Sequence, residues 1–183
     1  MRRNILRWLG SVACGALLAG FGSANISKAE IVTYATVSGW DAFGGTTDNG
    51  TKVCGVSTSG NGKSIAIKYF AGDNNVIIHL TSDRWQLKEG VHVRVQLRFD
   101  QGSSWAASAV GFHSGDAAVL EGTVPYGQIR SFFNEFRVAN TLAVQFPNQN
   151  VEEWSVDLSG TDEIANKFIG CIGWMSKGQQ YIY

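Results

Sequence analysis

Val91-His92-Val93-Arg94-Val95-Gln96-Leu97-Arg98-Phe99-Asp100 sets the reading of the whole chain. Val91, Val93, Val95, Leu97 and Phe99 fall on one side of an extended segment, and His92, Arg94, Gln96, Arg98 and Asp100 on the other. Successive side chains of a strand point to opposite faces, so this alternation means one buried face and one wet face. An antiparallel sheet covered on one side gives that pattern, whereas a parallel sheet buried on both sides reads as continuous apolar runs.

The period stays at two on either side of this segment. Upstream, Glu30 to Val37, Lys52 to Val56, the trio Ile65, Ile67 and Tyr69, and Val76 to Leu80 read as strands. Downstream, Trp105 to Phe112, Ala117 to Val124, Thr141 to Phe146 and Glu153 to Leu158 do the same. Gly39-Trp40-Asp41-Ala42-Phe43 leads into a polar turn region ending at Asn49-Gly50. Asn61-Gly62 lies between two β-prone runs, and this pair favours the positive φ angles of a two-residue hairpin.

The period changes twice. Ile129, Phe132, Phe133 and Phe136 recur at helical spacing, one face of a short helix begun near Pro125. After Ser159-Gly160, Thr161 is placed as an N-cap, with Asp162 and Glu163 at the positive end of a helix dipole. Ile164, Phe168, Cys171 and Ile172 line one face of that helix; Gly170 and Gly173 are expected to limit it, and the tail 177–183 to be loose. The fold expected is mainly β: an antiparallel β-sandwich or strongly bent sheet, with a short helix and a C-terminal helix. Residues 30–183 form a single β-rich domain.

The first 29 residues read differently. Arg2, Arg3 and Arg7 precede an uncharged stretch from Leu9 to Phe21, and small residues lead to cleavage points after Ala24 or Ala29. That order is a secretory signal peptide, too short in its apolar part for the roughly 20 residues of a membrane span. The Arg2-Arg3 pair resembles a twin-arginine signal, but the segment before the apolar stretch is very short. Ser11, three positions before Cys14, argues against lipidation. Removing Arg2, Arg3, Arg7 and Lys28 leaves 11 Lys and Arg against 15 Asp and Glu, a net charge of −4. A mildly acidic surface excludes nucleic acid as the expected partner and offers no polybasic membrane patch. Loss of Cys14 leaves Cys54 and Cys171, an even pair that reads as one disulfide in an oxidising compartment, periplasmic or extracellular.

No motif carries catalysis. Ser59-Gly60-Asn61-Gly62-Lys63-Ser64 ends like a phosphate-binding loop, but Ser57 stands where the first glycine is required and strands flank it on both sides. Gly55-Val56-Ser57-Thr58-Ser59 misses the last glycine of a nucleophile elbow. His79, His92 and His113 lack metal-ligand spacing, and Glu152 and Glu153 are adjacent, so they point apart on a strand. His79 reads as a core-edge residue with one hydrogen bond; Lys68, Arg94 and Arg98, on exposed strand faces, read first as solvated charge and second as a modest docking stripe. No cofactor or metal is expected. Trp40, Trp85, Trp105 and Trp154 form a surplus of aromatics: core filling is the first reading, and a partner-binding patch the functional one.

Gly39-Trp40, Cys54, Leu87-x-x-Gly90-Val91, and Asp157-Leu158-Ser159-Gly160 followed by Phe168 and Cys171 extend over most of the mature chain. In these residues the sequence resembles small exported proteins of the invasion-associated locus B type, common in alphaproteobacteria. It lacks the additional mid-chain cysteines of that pattern. The resemblance implies a periplasmic or secreted, β-rich, non-enzymatic protein, sometimes tied to host-cell entry. The function expected is that of an exported binding protein with an envelope or host protein as partner. The alternatives are an effector docking on a protein inside host cells and a hydrolase with an assembled site. Mass spectrometry of the protein recovered from periplasm or medium should find an N-terminus at Asn25 or Glu30; an intact Met1 start would contradict the export reading.

Overall fold

The structure, a computed structural model, describes residues 30–176 except 101 and 103. The signal-peptide assignment and the tail 177–183 lie outside the described residues. Ten strands form one antiparallel sheet: β1 (Glu30–Val37), β2 (Trp40–Thr46), β3 (Lys52–Gly60), β4 (Lys63–Phe70), β5 (Asn75–Ser82), β6 (His92–Phe99), β7 (Ser104–Ser114), β8 (Ala117–Pro125), β9 (Thr141–Gln145) and β10 (Trp154–Asp157). Their spatial order is β1-β2-β3-β4-β5-β8-β7-β6-β9-β10. The first five strands follow one another as a meander. The β6-β7-β8 meander then folds back so that β8 lies beside β5, a Greek-key arrangement bridged by the segment between β5 and β6.

The two helices are α1 (Ile129–Val138) and α2 (Thr161–Met175), and they pack on each other and on the concave face of the sheet. Of the two expectations, the bent sheet is the one observed: a single sheet, strongly curled and not closed into a barrel. The curl brings the two ends together. The Trp40 indole of β2 donates to the Asp157 carbonyl of β10 at 3.0 Å, and its ring meets Phe136 of α1 edge-on at 5.2 Å. On β6, Val93, Val95, Leu97 and Phe99 are all buried, as the alternation requires.

β2 is the strand that local pattern leaves unread, because glycines 44 and 45 dilute its β-propensity. Tertiary contact accounts for Gly44: a Cβ there would stand 3.1 Å from Cys171 Sγ. Gly55 on the neighbouring strand has a similar cause, since a Cβ would penetrate the Phe43 ring. Three local expectations need correction. Pro125 closes β8, and a 3-10 turn (Tyr126–Gln128) intervenes before α1. Thr161 is not the cap of α2; Gly160 holds that position with φ +82°, and the buried Thr161 hydroxyl bonds the carbonyls of Phe136 and Leu158. The helix also runs through Gly170 and Gly173, because Cys171 and Met175 remain anchored in the core.

Cys54 of β3 and Cys171 of α2 form a disulfide across 117 residues of sequence, with Cα atoms 6.0 Å apart. Phe168, one turn earlier, stacks on Phe133 of α1 at 5.0 Å. The bond therefore ties the last helix to the first half of the sheet. Among the described residues, no helix is long and apolar enough to cross a membrane. The chain-entropy model gives a loop of this length about 4–5 kcal/mol of stabilisation. Replacing both cysteines by serine should shift the chemical-denaturation midpoint sharply downward relative to the oxidised protein; equal midpoints would contradict a structural role for the bond.

Candidate functional site

The side chains with recognition chemistry gather around the β3–β4 hairpin. Gly60 and Lys63 are its last pair, and Asn61 (φ +52°) and Gly62 (φ +70°) make the two-residue turn that the sequence predicts. The turn is held from one side: the Gly62 carbonyl accepts the Asp83 amide at 2.9 Å, and the Ser64 and Thr81 hydroxyls share a short hydrogen bond. On the other side, the Thr58 hydroxyl donates to the Gly39 carbonyl at 2.8 Å, fixing the β1–β2 turn beside it.

Clefts flank this hairpin. One, of about 330 Å³, runs between Thr58, Lys63 and Ser64 on the hairpin and the free edge of β10, where Trp154, Ser155 and Asp157 line it. The other, of about 680 Å³, is walled by the hairpin, Asp83, Trp85 and Asp116. The Lys63 ammonium stands 5.5 Å from the centre of the Trp154 ring, within cation–π range. Trp85 stacks on the other partner of that group, Trp154, at 5.0 Å, and Phe146 packs edge-on against both.

The four candidate tryptophans therefore part company. Trp40 is 1% exposed and Trp154 4% exposed, so both are removed from the partner-binding set as surface residues. Burial of Trp40 follows from its place at the joint of sheet and helix. Trp154 supports the cleft from beneath. Trp85 and Trp105 are half-buried, Trp85 at the cleft rim and Trp105 far from it, donating to Glu135 at 3.1 Å and packing on Phe132.

His79 and His92 lie on the convex face, whereas His113, paired with Ala118, falls on the opposite parity of β7. Along the paired row His79, Glu121, Val110 and His92, three strand spacings separate the two histidines, on the order of 14 Å. His113 is exposed and meets Glu89 at 3.3 Å. Among the described residues no serine bonds a histidine, and no three His, Cys, Asp or Glu side chains converge as metal ligands. Glu152 and Glu153 are exposed, and Glu153 accepts from Gln145. Arg94 is exposed as expected. Lys68 departs from expectation, because it is half-buried and points its ammonium at His79 Nδ1, 3.0 Å away. His79 Nε2 is 2.7 Å from Glu121, so His79 has two polar partners rather than one, with Phe112 edge-on to its ring. The pairing of β5 with β8 builds this chain, and no local pattern announces a pairing so distant in sequence.

No family model, no curated protein and no solved structure matches the chain.

Burial pushes the His79 pKa below its ordinary 6.5 and the Lys68 charge adds to the shift, while Glu121 opposes both. Burial likewise lowers Lys68 from its ordinary value, against the attraction of Glu121. Lys68 donating to Nδ1 fixes the neutral tautomer with hydrogen on Nε2. Since the unfolded chain takes up that proton at higher pH than the folded one, stability is lost as pH falls from 6.5 through the lowered folded value. His79→Gln offers Lys68 an acceptor and Glu121 a donor without titrating. Its denaturation midpoint should fall less than that of wild type between pH 7.5 and pH 5.5; parallel pH profiles would contradict this assignment.

Proposed function

We propose that the chain is an exported, non-enzymatic binding protein of the cell envelope or host interface that presents the β3–β4 hairpin to a protein partner. The observation that carries this reading is the convergence at one end of the molecule of a rigid turn, hydroxyl-lined clefts and the Lys63–Trp154–Trp85 group. Pockets with a few convergent polar groups on an apolar floor are where proteins bind ligands. The disulfide supports an oxidising destination, since such bonds persist in secreted and periplasmic proteins. The resemblance to invasion-associated locus B proteins points the same way. The effector alternative shares this surface and differs only in where the partner resides.

A photo-crosslinking side chain placed at Asn61, at the hairpin tip, tests the surface in cells that export the protein. Val138, 81% exposed at the end of α1, is the control position. Discrete adducts from Asn61 and none from Val138 are expected. Equal adduct patterns from both positions, or none from Asn61, would overturn the reading.

A further inference from the structure

The groove beside the hairpin is bounded on one side by the last strand of the sheet, and the ladder of that strand specifies what the groove can hold. Among the described residues β10 pairs only with β9: Trp154↔Val144, Ser155↔Ala143, Val156↔Leu142 and Asp157↔Thr141. One step beyond, the Leu158 amide donates to the Asn140 carbonyl at 2.9 Å, which makes that pair a hydrogen-bonded one. In an antiparallel ladder such pairs recur at every second residue. Trp154 and Val156 therefore exchange their hydrogen bonds with β9, and Ser155 and Asp157 turn their N–H and C=O groups away from it. The Asp157 carbonyl confirms the parity, because it is met from the outer side by the Trp40 indole.

What remains along the outer edge is the Ser155 N–H, the Ser155 C=O and the Asp157 N–H, facing a groove of about 330 Å³. Among the described residues no strand pairs there. A donor and an acceptor projected from one residue in the strand plane are what an antiparallel neighbour satisfies by exchanging both bonds. The opposite wall is the β3–β4 hairpin, with Thr58 and one cation, Lys63, held over Trp154.

Resting on the hairpin surface proposed above, we infer that this groove takes a short extended segment of a partner polypeptide, added as an eleventh strand on the edge of β10. The segment carries an acidic side chain opposite Lys63. Its ladder is short, because β10 spans only about 13 Å at 3.3 Å per residue and the Trp40 indole closes the edge at Asp157. Side-chain contacts along the hairpin then supply the selectivity.

Ser155→Pro removes the outward N–H and leaves the β9 hydrogen bonds in place, since those come from Trp154, Val156 and Leu158; proline is tolerated at such edge positions. Ser155→Ala keeps the backbone and removes only the hydroxyl. Heptapeptides selected from a random display library on the oxidised wild-type protein, then made synthetically, are the probe. Enrichment of period-two sequences with one acidic residue is expected, with an affinity loss of about tenfold or more in Ser155→Pro. Ser155→Ala should bind as wild type does, and Lys63→Gln should weaken acidic peptides selectively. Independently of any variant, peptide binding should slow hydrogen exchange at the Ser155 and Asp157 amides. Recovery of no peptide, equal binding to Ser155→Pro, or unchanged exchange at Ser155 would overturn strand addition. Persistent Asn61 adducts in Ser155→Pro would do so as well, while leaving the hairpin surface standing as the binding site.

Discussion

A sheet of ten strands with helices on one face can bury that face only by curling around them, and the Trp40 indole joins the curled ends. Its ring fills the space beside Phe136, and its N–H takes the carbonyl of Asp157 at the far edge. A buried indole without a partner would leave a costly unmet donor. The contact therefore selects the curled sheet over a flat one and positions β10 beside the β3–β4 hairpin. Both the cleft and the free strand edge descend from that placement. Phe99, Phe132, Phe133 and Phe168 continue the aromatic contacts inward, linking β6, α1 and α2 into one core.

The disulfide acts on the other half of the same problem. α2 lies over β1, β2 and β3, the strands that follow one another as a simple meander and whose other tie to the rest of the core, beyond sheet pairing, is Trp40. Cys171 reaches Cys54 because Gly44 leaves room for the sulfur. The long closed loop restricts the unfolded chain, which is where the entropic part of the stabilisation arises. Curl and clamp are thus separable: one orders the sheet ends, the other fixes a helix to the sheet.

Much of the fold is legible in local sequence, because local signals created it. The alternation of Val93 to Phe99, the Asn61-Gly62 turn and the apolar stripe of Ile129, Phe132, Phe133 and Phe136 each read out a short-range rule. β2 escapes because Gly44 and Gly45 dilute its pattern, and Gly44 answers to Cys171, a contact made across the chain. The Lys68–His79–Glu121 row escapes for the same reason: β5 finds β8 across 42 residues, and loop closure leaves no periodic trace. Aromatic content signals the site but not its geometry. Trp40 and Trp154 look identical in sequence to Trp85, and only packing separates the core from the rim. The free edge of β10 depends on hydrogen-bond parity, which follows from register and from nothing shorter.

The indole N–H of Trp40 gives the most direct test of the curl. In a labelled, oxidised sample its hydrogen exchange and its nuclear Overhauser contacts can be measured as one resonance. The account predicts slow exchange and contacts to the Hα protons of Val156 and Leu158, which lie on the same side of β10 as the Asp157 carbonyl, placing β2 against β10. Fast exchange with no contact to β10 would mean that the sheet ends stand apart, and the groove with its strand edge would not exist as described.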